Sequence, residues 1–171
     1  PHFVVLAFLW VAYVVLWVVA LFNILFTGKY PRGIFYFNVG VLRWSWRVGF
    51  YCCSVLGTDR YPPFSLKTTD YPATFDVEYP ENLSKGLVLV KWWLLAIPHY
   101  LVVGILHGGV GPSSGGLNSV LVIFAAVALL FTRRYPVSIF DLVMGFNRWA
   151  FRVTAYASLM RDEYPPFRLS P

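Results

Sequence analysis

The chain has 171 residues, of which 58% are hydrophobic, 19% aromatic and only 13% charged, with a net charge of +6. Soluble domains usually carry about 25% charged residues, so this balance argues against an ordinary water-soluble globule and for a protein in contact with lipid. The positive charge is not a nucleic-acid footprint either, because Lys and Arg beside apolar spans are what topology and anionic head groups already require.

From the N-terminus, Phe3 to Phe26 is apolar except for Asn23, and as a helix it reaches about 36 Å against a hydrocarbon core of about 30 Å. It reads as one long span, or as the end of a hairpin turning near Trp10 to Tyr13, where no polar residue marks a turn. No basic region and no small-residue cleavage site accompanies it, so it is not a cleavable signal peptide. The chain begins without Met, and further residues are expected before Pro1.

Residues 34–56 form an expected amphipathic helix on the cytoplasmic face, and residues 139–160 form its counterpart. Tyr36, Gly40, Arg43 and Arg47 share one stripe, as do Asp141, Gly145, Arg148 and Arg152, because steps of four, three and four return to the same face. An arginine at mid-bilayer costs about 2.5 to 3.5 kcal/mol. At the interface, Arg43, Arg47, Arg148 and Arg152 would meet anionic head groups while Trp44, Trp46, Trp149 and Phe151 sit at the boundary. The plainer reading is that these arginines anchor their helices or pair with Asp141 and nearby backbone carbonyls. Cys52 and Cys53 are adjacent, offer neither spaced metal ligands nor a disulfide framework, and read as small apolar residues.

A connector over residues 67–82 follows. Within it Tyr71, Ala73, Phe75, Val77 and Tyr79 alternate with Thr74, Asp76 and Glu78, the period of a half-buried strand. The second half, residues 83–171, opens with Asn82-Leu83-Ser84, which reads as a cap for a helix starting near Leu87. Spans are expected at 87–106 and 117–131. Between them lies the uncharged, Gly-rich stretch His107 to Gly116.

All fourteen Lys and Arg residues fall in 29–91 or 133–168, so the positive-inside bias places both charged stretches, and the C-terminus, on the cytoplasmic side of the inner membrane. The Gly-rich loop then faces outward.

Few residues carry chemistry. Gly111-Pro112-Ser113-Ser114-Gly115 matches G-x-S-x-G, but it lies between apolar spans and no histidine follows it, so the Ser, acid, His order fails. His2 and His99 stand in apolar segments, where an ionisable residue is a functional candidate by default. They could relay protons or ligate haem; alternatively each satisfies a carbonyl freed by the adjacent Pro. Gly104 and Gly108 form a weak G-x-x-x-G. No catalytic site and no cofactor is expected.

The chain also repeats itself. At a spacing of 105 residues, Tyr30-Pro31 matches Tyr135-Pro136, Ile34-Phe35 matches Ile139-Phe140, and Gly40, Arg43, Trp44, Arg47 and Tyr51 match Gly145, Arg148, Trp149, Arg152 and Tyr156. Tyr61-Pro62-Pro63-Phe64 then matches Tyr164-Pro165-Pro166-Phe167, and Pro1-His2 matches Pro98-His99. The expected architecture is all-α and membrane-integral, with residues 1–66 and 83–171 as two parallel copies of a transmembrane hairpin plus an interfacial helix, and the strand 71–79 between them. A pseudo-twofold along the membrane normal follows, and a preceding copy of Tyr71 to Ile97 would supply the strand with a partner.

Phe37-Asn38-Val39-Gly40-Val41-Leu42-Arg43-Trp44-Ser45-Trp46-Arg47, Asp59-Arg60-Tyr61-Pro62-Pro63-Phe64 and Lys91-Trp92-Trp93-Leu94-Leu95-Ala96-Ile97-Pro98-His99 resemble a family of bacterial membrane proteins, common in actinobacteria, catalogued as domain of unknown function 4389. The resemblance spans nearly the whole chain and implies no activity. Val137-Ser138 and Phe146-Asn147 depart from the pattern. The residues then favour a non-catalytic accessory subunit that packs against other integral membrane subunits and borders anionic lipid, with lipid binding or transport at the repeat interface as the alternative.

Overall fold

The computed structural model describes residues 1–107 and 116–169. Among these, every regular element is helical: α1 (His2–Thr27), α2 (Arg32–Cys52), α3 (Lys85–Val90), a π-helical turn (Lys91–Leu95), α4 (Ile97–His107), α5 (Leu117–Thr132) and α6 (Val137–Ala157).

Helix α1 forms because its 26 residues are almost uniformly apolar, with no Pro or Gly after its first turn to interrupt the ladder. It is unbroken through Trp10 to Tyr13, so the first half holds one long helix rather than a hairpin. It ends at Gly28, whose φ of 74° gives the left-handed cap that closes the last turn onto the Ile24 carbonyl. In the second half Arg133 caps α5 with φ 55°, an uncommon conformation for a side-chain-bearing residue.

Pro31 and Pro136 stand at the N-caps of α2 and α6. A Pro there has no N–H to leave orphaned and turns the chain sharply out of the preceding helix. Helix α2 doubles back on α1, from the Gly28 turn to the contacts of Trp44 with His2 and of Ser45 with Trp10. Helices α4, α5 and α6 pack on one another, while α1 also packs on α3.

The two halves are tied crosswise by polar groups. The Tyr13 hydroxyl on α1 hydrogen-bonds the Ser158 hydroxyl just after α6. Correspondingly, Asn118 on α5 donates to the Ser54 carbonyl just after α2 (3.2 Å). Asn147 reaches the same carbonyl at 3.3 Å and Asn118 Oδ1 at 3.4 Å, which explains the departure from the repeat at that position: a polar side chain stands there to meet the other half. Trp46 on α2 packs edge-on against Phe151 on α6, ring centroids 5.2 Å apart.

Two expectations are overturned. Residues 71–79 form no strand among the described residues. Their burial does alternate, with Tyr71, Ala73 and Val77 buried and Pro72, Thr74, Asp76 and Glu78 exposed. Period two reports which side faces the core; a strand also needs a paired backbone, and among the described residues none hydrogen-bonds to this one. The paired transmembrane hairpins are not present either. Two helical stretches are long and apolar enough to cross a membrane, His2–Thr27 and Lys85–His107, whereas Leu117–Thr132 is shorter.

Candidate functional site

The chemistry-bearing side chains fall into three settings. The first occurs twice. Trp44 Nε1 donates to His2 Nδ1 at 3.1 Å, and Trp149 Nε1 donates to His99 Nδ1 at 3.3 Å. With Nδ1 accepting, the neutral ring carries its proton on Nε2. His2 stacks on Phe64 with centroids 3.9 Å apart, and His99 stacks on Phe167 at 4.1 Å. Tyr61 and Tyr164 complete the clusters at 4.9 and 4.7 Å from the imidazoles. The Tyr-Pro-Pro-Phe segments therefore fold each histidine against its tryptophan. Both imidazoles are buried, and neither Nε2 has a hydrogen-bond partner of good geometry, although the Pro62 and Pro165 carbonyls face the rings. The histidines occupy separate clusters, and the described residues contain no group of three or more metal-ligating side chains.

The arginine stripes form the second setting, and here the two halves differ. Arg43 is buried and donates from Nε to the Phe75 carbonyl (2.8 Å), from Nη1 to the Leu66 carbonyl (2.9 Å) and from Nη2 to Asp76 Oδ1 (3.0 Å). Arg47, only 1% exposed, donates to the Ser65 and Lys67 carbonyls at 3.0 and 2.7 Å. Burial, and after it the neighbouring Arg43 charge, pushes the Arg47 guanidinium below the usual arginine range. These two arginines hold the connector against α2 and do not present themselves to head groups.

Gly40 makes that approach possible. A Cβ there would lie 2.9 Å from Leu66 Cβ, and Gly145 stands in the same relation to Leu169. On α6, however, Arg148 is exposed and makes no hydrogen bond or ion pair among the described residues, while Arg152 is half-buried. Among the described residues Asp141 forms no ion pair. Trp44 and Trp149 are buried at the histidines rather than placed at an outer boundary.

The third setting was not legible in the sequence. Lys91, which interrupts an apolar run, is fully buried in the π-helical turn; its ammonium donates to Asp162 Oδ1 at 2.8 Å and to the Arg161 carbonyl at 2.7 Å. The Tyr156 ring covers it at 5.4 Å. Asp162 also accepts from the Ser84 backbone N–H at 2.7 Å. Burial raises the Asp162 pKa, but its hydrogen bonds from Lys91 and Ser84 outweigh this and hold the carboxyl below its ordinary value. Ser84 does occupy the N-cap position of α3, yet its side chain makes no cap bond.

Among the described residues no atom lies within 4 Å of where a Gly104 Cβ would be, so no close helix approach among them uses it; Gly108 and the G-x-S-x-G match lie outside the described residues. Cys52 and Cys53 have their sulfurs in contact at the end of α2.

The fold and these settings define an all-helical protein with two helices able to cross a membrane, in which most of the ionisable side chains inside the fold are engaged with one another or with the backbone. The chain belongs to the family described as domain of unknown function (DUF4389), whose model matches residues 1–65 and 90–168. No curated protein and no solved structure matches it.

Proposed function

We propose that this is a non-catalytic, multi-pass membrane protein made of two copies of one unit, serving as an accessory or structural subunit of a larger membrane complex. The observation that carries this reading is the placement of polar chemistry. His2, His99, Arg43, Arg47, Lys91 and Asp162 are each engaged in local tryptophan, carbonyl or ion-pair contacts, which leaves them as fold-building groups rather than a convergent reactive site.

The outer faces of α1, α4 and α5 are apolar instead. Phe8, Val11 and Phe22 on α1, Leu101 and Ile105 on α4, and Ile123, Leu130 and Phe131 on α5 are all more than half exposed. Surface of that kind suits lipid or the helices of other subunits. The duplicate-unit reading draws support from the matched His–Trp–Phe clusters and from contact between the equivalent residues Trp46 and Phe151, as expected at a pseudo-twofold axis. The charged connector and C-terminal segments belong on the cytoplasmic side of the inner membrane by the positive-inside bias.

Purification in a mild detergent followed by native mass spectrometry tests the proposal. A stoichiometric protein partner is expected. A monodisperse chain carrying only bound lipid would overturn the subunit reading and favour lipid handling at the boundary between the units.

A further inference from the structure

The corner after α2 carries Cys52 and Cys53, the two cysteines of the sequence, and the repeat singles them out. Tyr51 matches Tyr156 at a spacing of 105, but Leu56 matches Leu159 at 103, so the first unit holds two more residues at this corner than the second. Both corners close alike. Leu56 and Leu159 take the left-handed conformation with φ of 54° and 65°, and Gly57 and Met160 return their N–H groups to the Phe50 and Ala155 carbonyls. Ala157 and Ser158 follow α6 where the cysteines follow α2, so the turn itself needs neither thiol.

The residues directly after the cysteines hold the second unit. The Ser54 carbonyl accepts from Asn118 and Asn147 at 3.2 and 3.3 Å, and the Val55 carbonyl accepts from the Tyr135 hydroxyl at 2.8 Å. The Val55 side chain is fully buried in one cluster with Val122 and Val143. On the α2 side, Cys53 and Ser54 both donate their N–H groups to the Gly49 carbonyl, at 3.2 and 2.8 Å. A change of backbone at the cysteines therefore passes directly to the contacts between the units.

The two sulfurs are in contact, with Cα atoms 3.8 Å apart because the residues are neighbours. Disulfides usually span about 4.4 to 6.8 Å between Cα atoms, and a bridge closed over less is of the readily reduced kind. Cys53 is exposed, whereas Cys52 is half-buried against Leu6, Trp44 and Val48. On the cytoplasmic side proposed above, lasting structural bridges are rare and those that form are redox-active.

We propose that Cys52 and Cys53 are a reversible dithiol–disulfide couple whose state sets how firmly the two units are joined. The oxidant is a low-molecular-weight disulfide. The Cys53 thiolate attacks one of its sulfurs and expels the first thiolate, leaving a mixed disulfide on Cys53; the Cys52 thiolate then attacks the Cys53 sulfur and expels the second. The two thiol protons go with the departing thiolates, so the small disulfide is reduced to two thiols as the protein dithiol is oxidised. The bridged state keeps Ser54 and Val55 on the second unit, and reduction loosens them. Neither cysteine belongs to the apolar helix faces offered to a partner, so the couple is independent of the subunit reading.

The test equilibrates the 171-residue chain in detergent micelles with reduced and oxidised glutathione at varied ratios, quenches with acid, labels free thiols with a maleimide and reads the intact mass. A reversible transition from two labels to none is expected. Cys52→Ser is expected to accumulate a mixed disulfide with glutathione on Cys53, whereas Cys53→Ser stays largely unmodified. Tyr135→Phe removes the bond to the Val55 carbonyl and is expected to lower the equilibrium constant for oxidation by about two- to tenfold. Tyr30→Phe, its counterpart bonded to Asn38 within the first unit, is expected to leave that constant unchanged. Two labels at every ratio, disulfide-linked dimers in place of the internal bridge, or equal constants for wild type and Tyr135→Phe would each overturn the proposal. An equal shift from Tyr30→Phe would also overturn it, by tracing the effect to general destabilisation.

Discussion

Replacing Asp162 with Ala isolates the buried ion pair. The Lys91 ammonium would then stay fully buried with only the Arg161 carbonyl and the Tyr156 ring as neighbours. Removing one partner of a buried pair costs about 3 to 5 kcal/mol, because a charge is left without compensation. The Asp162 side chain is 26% exposed, so water reaches the vacated place and the loss falls near the lower bound, about 3 kcal/mol. For a chain of this size each kcal/mol lowers the melting temperature by about 2 to 4 °C, giving a drop of roughly 6 to 12 °C. The assay is thermal unfolding in detergent for Asp162→Ala, Lys91→Met and the double substitution. The double variant is expected to melt well above Asp162→Ala, since an apolar pair needs no compensation there. A drop of under about 4 °C, as for a surface bridge, or a double variant as unstable as Asp162→Ala, would refute the reasoning.

Because the folded-state Asp162 pKa lies below its unfolded value, its stabilisation is full above the unfolded value of about 3.9 and is lost as pH falls through the folded one; the gap in melting temperature between wild type and Asp162→Asn should close at the acid end. Trp44→Phe and Trp149→Phe each leave a buried imidazole Nδ1 without its donor and should cost about 1 to 3 kcal/mol apiece by denaturant titration. Gly40→Ala and Gly145→Ala force a Cβ to within 2.9 Å of a leucine Cβ and should each destabilise by about 1 to 3 kcal/mol in the same assay. At the helix ends, Arg133→Gly should raise the melting temperature and Gly28→Ala lower it, since a left-handed cap costs a side-chain-bearing residue about 1 kcal/mol.

The helices were legible where one residue type decides the backbone. Tyr30-Pro31 and Tyr135-Pro136 mark the starts of α2 and α6, and the repeat register aligns His2 with His99 and Trp44 with Trp149. What the register could not give is which atoms meet: that each tryptophan N–H finds a histidine depends on the Tyr-Pro-Pro-Phe segment folding back over both. The strand failed for a related reason, because alternation over 71–79 reflects burial while pairing is a property of two segments. The arginines were read from their own helix face alone; Gly40 and Gly145 on that face signalled close approach by something, without naming Leu66 or Leu169. Lys91 and Asp162 are too far apart in sequence for any local pattern to join them.

The bond between Tyr13 and Ser158 spans 145 positions along the chain, and this has a consequence for biosynthesis. Helix α1 is translated well before Ser158, so its buried hydroxyl finds this partner only after the 145 positions that separate them have been made. A nascent chain arrested before residue 158 would leave that hydroxyl without this partner even with α1 already packed on α2 and α3.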